Sequence, residues 1–264
     1  MNSYKLSVSN YGIETWVEQF PDWRVSVDKL KIHHSWKPFT ATPEYAKQIK
    51  DVNEYLSYCL QSTGGTVKIY PYPSLVFNAF NCTPLDQVKV VILGQDPYIN
   101  AEEDVPQAMG LSFSVPTGVT IPPSLNNIYN NLVKYGHMDT KPNHGNLSFW
   151  AYQGCLLVNT AFTVQAKCSN SHEKHWQELT DTLIRYLSQE KEGIVFALWG
   201  SPAIKKLALI DQTKHGVTIS SHPSPLSCNK PVQSYGSFAE TDHFGQINKY
   251  LTKVKKSTIM WKII

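Results

Sequence analysis

The sequence predicts an α/β fold: one domain with a central four-stranded, mainly parallel sheet flanked by helices. Two observations carry this. Short apolar runs recur at Val88–Leu93, Cys155–Val158, Ile194–Trp199 and Val217–Ser220. Segments of helical periodicity separate them. Such alternation is the mark of βαβ units, whose parallel strands are covered on both faces. The chain has 264 residues, 42% hydrophobic and 17% charged, which is enough apolar material for a large core and too little charge for disorder. No linker rich in Gly, Ser or Pro divides it. Residues 1–264 therefore read as a single domain, with residues 1–35 as an N-terminal arm packing on it.

The elements follow in order. In the first stretch Trp16, Phe20, Trp23 and Trp36 are the expected anchors onto the core. Pro43 to Gln61 predicts a helix, because Tyr45, Ile49, Val52, Leu56 and Leu60 recur at intervals of three or four. Thr42 is its expected N-cap, and Pro43 sits at the first helical position, where a missing N–H costs nothing. Tyr70 to Pro73 reads as a Pro- and Tyr-rich loop. Behind the first strand, Pro122-Pro123 leads into a helix over Ser124 to Tyr135, with Ser124 as expected N-cap. His172 to Gln189 predicts a helix with Trp176, Leu179, Leu183, Ile184 and Leu187 on one side. Pro202 to Leu209 and Asp242 to Leu251 complete the set, and Ser201 reads as an ordinary N-cap.

Several classes are excluded. No run of 18 apolar residues is present, so no membrane-spanning helix is expected. Met1 to Pro21 holds no apolar stretch and no Arg, which argues against a secretory signal and a mitochondrial presequence. Cys59, Cys82, Cys155, Cys168 and Cys228 are odd in number and never form C-x-x-C. They read as reduced thiols of an intracellular protein, nuclear or cytoplasmic by source, and not as a disulfide framework, zinc ribbon or iron–sulfur site. Net charge is +3, carried almost wholly by Lys, since Arg24 and Arg185 are the only arginines. A mild surplus suits a polyanionic partner without demanding one.

An open parallel sheet binds its ligand outside the carboxyl ends of its strands. Gly94-Gln-Asp-Pro-Tyr98, Asn159-Thr-Ala161, Gly200-Ser-Pro202 and Ser221-His-Pro-Ser-Pro-Leu-Ser227 follow the four strands. Singly, each is explained as a turn, because Asx-turns, caps and X-Pro pairs punctuate chains. Together they bring a carboxylate, an imidazole and a carboxamide around one crevice. Glycine-rich phosphate loops, H-E-x-x-H and G-x-S-x-G are all missing. What remains is an acid–base and electrostatic site, with no cofactor and no metal expected.

Gly94-Gln-Asp-Pro-Tyr98 with His222-Pro-Ser-Pro-Leu-Ser227 resembles the family 1 uracil-DNA glycosylases. So do Gln107–Val115, Pro122–Leu125, His144–Leu147, Trp150–Gly154, Leu156–Asn159, Asn170–His172 and Leu198–Ser201. The likeness runs in order from about Tyr70 to Leu251. It implies hydrolysis of the N-glycosidic bond of deoxyuridine in DNA, leaving an abasic site. A binding module that has lost catalysis is disfavoured, since both Asp96 and His222 are retained.

The resemblance assigns roles. Asp96 would orient or deprotonate the water and lie near the sugar cation. His222, as a neutral imidazole, would donate to uracil O2. Asn159 would read the uracil edge, Tyr98 would stand against C5, Phe113 would stack on the base, and the backbone beside Gln95 would add contacts. Ser124, Ser201, Ser224 and Ser227 would grip phosphates, Pro122 and Pro123 would belong to the same DNA-binding surface, and Leu226 would enter the duplex as a wedge. Expected partners are uracil-containing DNA, single- or double-stranded, and a proteinaceous glycosylase inhibitor; a monomer with no membrane contact is implied.

Three departures stand out. The family pattern continues after Tyr98 with His, where this chain has Ile99; the acidic segment Ile99 to Pro106 is longer than usual; and so is the loop from Cys228 to Thr241. Ile99 would dry the pocket wall and raise the Asp96 pKa. The competing expectation is that Asn100 supplies the missing polar partner.

Overall fold

The structure, a computed structural model, describes residues 13–263. The part of the expected arm before Ile13 lies outside the described residues. The central sheet has four strands: β1 (Val90–Gly94), β2 (Cys155–Asn159), β3 (Val195–Trp199) and β4 (Gly216–Ser220). Their order is β2-β1-β3-β4 and every pairing is parallel. All of β1 and β3 is buried, as strands covered on both faces require. In-register pairing sets Gly94 beside Asn159 and Trp199 beside Ser220, so the polar segments emerge at one edge.

Four long helices cover the sheet: α1 (Pro43–Ser62), α2 (Pro123–Lys134), α3 (Glu173–Glu190) and α4 (His243–Lys253). The hydroxyl of Thr42 caps α1, accepting from the Tyr45 N–H at 3.3 Å. The expected apolar stripes of α1 and α3 are all buried. Trp16, Phe20 and Trp36 are buried and Trp23 packs at the edge of the same core.

Several expectations are corrected. α2 begins at Pro123, with Pro122 in the cap position and no side-chain cap bond. Ser124 is thus a first-turn residue and not the N-cap. The cap before Pro202 is likewise Gly200, with φ of 90°, and Ser201 is the first helical residue. The helix expected over Pro202–Leu209 is one α turn, Ser201–Ile204, continued as a 3₁₀ segment over Lys205–Leu209. Tyr70 to Pro73 is not all loop, since Ile69–Tyr70 pairs antiparallel with Val164–Gln165.

The acidic segment folds into a small hairpin, Ala101–Glu102 against Val105–Pro106. Glu103 and Asp104 form its turn, both with positive φ, at 48° and 64°. The Glu102 carboxylate reaches across to Thr120, accepting from its N–H and its hydroxyl, each at 3.0 Å.

Candidate active site

β1 delivers the first side chains. A Cβ on Gly94 would collide with Asn159 Oδ1 and lie 2.8 Å from the Ser112 Cβ, so glycine makes room for the carboxamide. Two residues on, Asp96 is half-buried. Its Oδ2 accepts from the Asn170 N–H at 2.7 Å and the Ser169 hydroxyl at 3.1 Å. Its Oδ1 is buried without a partner. Burial pushes the Asp96 carboxyl above its usual range; the Asn170 and Ser169 donors pull against this, and Glu173 adds a small upward push.

Neither sequence reading of the 99–100 position describes this arrangement fully. The Ile99 side chain packs with Tyr70, Ala108 and Val164. The Asn100 carboxamide accepts from Lys167 Nζ at 2.9 Å, so it is engaged away from Asp96. The partners of Asp96 come instead from the loop at 168–170, where the sequence reading assigned Ser169 and Asn170 no role. The available signal was the polar run Cys168-Ser-Asn-Ser-His172 just before α3.

The opposite wall is His222, beyond β4. A Cβ on Gly200 would stand 2.9 Å from the His222 Cβ, so this glycine also makes room. The Ser224 N–H donates to His222 Nδ1 at 3.0 Å. An N–H can only donate, so Nδ1 carries the lone pair and the neutral ring holds its proton on Nε2. Burial lowers the His222 pKa to about 4, keeping the imidazole neutral at physiological pH.

Phe113 and Tyr98 close the space. Phe113 has φ of 63°, rare for a bulky side chain, in a ring cluster 5.6 Å from Trp199 and 5.7 Å from His222. The Tyr98 hydroxyl donates to the Phe113 carbonyl at 3.2 Å, tying the two walls together. The Gln95 amide donates to Asn170 Oδ1, and its carbonyl accepts from the Thr160 hydroxyl at 2.7 Å.

Asp96, Tyr98, Phe113, Asn159 and His222 thus line one cavity of about 210 Å³, together with Gly94, Gln95, Ser124, Ser169 and Asn170. A neighbouring cavity of about 350 Å³ shares Gly94, Gln95 and His222 and adds Ser201, Ser227 and Lys230. Pro122, Pro123, Ser224 and Leu226 line neither. Ser224 and Ser227 are paired within their own loop, oxygen to oxygen at 2.9 Å, and Ser227 donates to the His222 carbonyl at 3.0 Å. Asn127 of α2 donates to the Pro223 carbonyl and braces this loop from behind. The braced loop holds Leu226 out in solvent, 84% exposed.

The model of the uracil DNA glycosylase superfamily matches residues 80–252, a span that contains every residue of both cavities. A probable uracil-DNA glycosylase of Acanthamoeba polyphaga mimivirus is 38% identical over 270 residues, covering 98% of this chain and 72% of that protein. The uracil-DNA glycosylase of Campylobacter curvus is 46% identical over 242 residues, covering 91% of this chain and 97% of the other. The crystal structure of the mimivirus enzyme superposes with a TM-score of 0.89 at 37% identity, over 99% of this chain and 98% of that one. A variant of the same enzyme, solved in complex with UGI, gives a TM-score of 0.92. Sequence, family pattern and backbone agree over nearly the whole chain, and the protein belongs to the uracil DNA glycosylase superfamily.

Proposed function

We propose that this protein, a DNA-repair glycosylase by family, excises uracil with Asp96 and His222 as its catalytic pair. The observation that carries the assignment is their placement. An unpartnered, buried carboxylate oxygen and a neutral imidazole with its proton on Nε2 line the same small cavity.

Deoxyuridine leaves the stack and its base enters the 210 Å³ cavity. The bond between C1′ and N1 breaks and its electron pair leaves with the base. The sugar becomes cationic and the uracil anionic. Asp96 lies against the cation and accepts a hydrogen bond from the water through Oδ1. Water attacks C1′ and its proton passes to the carboxylate or to solvent. The Nε2–H of His222 stabilises the charge growing on uracil O2, and a donor so placed is worth about 10²–10³ in rate. The low His222 pKa keeps the ring neutral, so Nε2 donates a hydrogen bond to O2 and retains its proton.

Asn159 accepts from uracil N3–H and donates to O4, a pattern that cytosine reverses. Tyr98 blocks C5 against the thymine methyl, and Phe113 stacks on the ring. Ser124, Ser201 and Lys230 meet phosphates, and hydroxyl rotation frees Ser224 and Ser227 to join them. Leu226 fills the space vacated by the base. In this reading residues 1–264 act as one domain and as a monomer, inside the cell. Because two variants of the mimivirus enzyme are solved in complex with UGI, we extend susceptibility to that inhibitor to this chain.

The test is single-turnover release of free uracil from an oligonucleotide, without added metal. Asp96→Asn and His222→Ala should each slow release by about 10²-fold or more while leaving DNA affinity nearly intact. Near-normal rates in either variant would remove that residue from the mechanism.

A further inference from the structure

We propose that Ser169 is a positioning residue: its hydroxyl holds Asp96 Oδ2 so that Oδ1 faces the attacking water. This rests on the assignment of Asp96 given above. A carboxylate held by one donor can still turn about that bond. Asp96 Oδ2 has two donors, the Asn170 N–H at 2.7 Å and the Ser169 hydroxyl at 3.1 Å, which together fix the plane of the group. With Oδ2 occupied, the buried and unpartnered Oδ1 is the oxygen left for a water in the cavity.

The loop carrying Ser169 is itself tied to the strand end it serves. The Lys167 N–H donates to the Ile99 carbonyl at 2.9 Å, Lys167 Nζ reaches Asn100 Oδ1 at 2.9 Å, and Gln95 reaches Asn170 Oδ1 at 3.1 Å. Lys167 and Asn170 both take positive φ, at 65° and 60°, which curls residues 168–170 toward Asp96. Ile99 has no side-chain donor, and the Asn100 carboxamide lies against Lys167; the side chain that donates to Asp96 is that of Ser169. The other titratable groups around this carboxyl are Glu173 at the start of α3, and Tyr98 and His222 across the cavity.

The experiment compares wild type, Ser169→Ala and Ser169→Thr. Single-turnover rates on a uracil-containing single-stranded oligonucleotide are taken from pH 5 to 9, with KM at pH 7.5. The Asp96 carboxyl is titrated separately by carbon-13 NMR in the free protein. Ser169→Ala should lower the maximal rate about tenfold with KM unchanged. Its acid limb and its Asp96 titration should both move to higher pH, because one of the two donors favouring the ionised form is gone. Ser169→Thr, which keeps the hydroxyl, should restore rate and profile. An unmoved Asp96 titration in Ser169→Ala, or equal losses in Ala and Thr variants, would overturn the inference. A wild type that releases no uracil would instead fell the functional reading, while the titration still judges the role of Ser169.

Discussion

Gly94 and Asn159 are register partners at the ends of adjacent parallel strands, and the carboxamide of one fills the space a side chain on the other would need. A methyl group there would push Asn159 out of the cavity. Gly94→Ala is therefore expected to keep the fold, with a melting temperature within a few degrees, yet to lose uracil excision by about 10²-fold or more. A crystal structure or an activity assay with Asn159 undisturbed would contradict this.

On the assignment proposed for Asn159 and Tyr98, the base pocket discriminates by pairing and by bulk. Asn159→Asp should release some cytosine, because a protonated acid can present the opposite donor and acceptor order. Tyr98→Ala should admit thymine. Overall rates will fall in both, so the readout is the ratio of C or T release to U release, which in wild type is expected to stay at background. Rejection built on unmatched hydrogen bonds reaches about 10⁴ or more, and each variant should erode part of it.

Leu226 stands 84% exposed on a loop braced from α2, so it contributes little to the core. Leu226→Ala should leave thermal stability unchanged. It should slow excision from duplex DNA by about tenfold and from single strands hardly at all, since only the duplex leaves a gap to fill. Equal losses on both substrates would point to a role other than wedging.

Burial lowers the pKa of five histidines: His172 and His222 to about 4, His243 to about 3, and His175 and His215 in the same direction. In the unfolded chain they titrate near 6.5. Between these values the unfolded state binds protons that the folded state does not, so stability falls as pH drops from about 6.5 toward 4. Asp96, raised in the fold, acts in the opposite sense below neutral pH. Urea unfolding at pH 5, 6 and 7 should show the decline, and His243→Gln should flatten its slope by up to one proton. A stability independent of pH in that window would refute the neutral assignment.

The strands were legible because burial on both faces leaves continuous Val, Ile and Leu runs, and these lie within two residues of their expected bounds. Thr42 was legible because capping is local. Ser124 and Ser201 were misjudged as caps because a preceding proline or a positive-φ glycine can fill the same place. The hairpin at 101–106 escaped notice because its strands are two residues each and its turn is Glu-Asp, where glycine or asparagine would have signalled positive φ. At the site, Asp96, Asn159 and His222 could be found from where they follow strands. Ser169 could not, since nothing in the local pattern says that its loop curls back across the sheet edge.

The hairpin that Glu102 anchors to Thr120 reaches to within two residues of the Pro122-Pro123-Ser124 turn. Burial pushes the Glu102 carboxyl up, but the Thr120 and Gln107 donors outweigh it and hold it ionised well into acid. The segment leading into that turn is therefore ordered during folding, before any DNA arrives. The entropy lost in fixing a loop, about 1–2 kcal/mol per residue for the backbone, is then not charged to the encounter with each new phosphate. With this turn proposed as a phosphate contact, an enzyme that must inspect long stretches of undamaged backbone meets far more normal nucleotides than uracils, and a grip already in shape would let it take hold and let go without remaking itself each time.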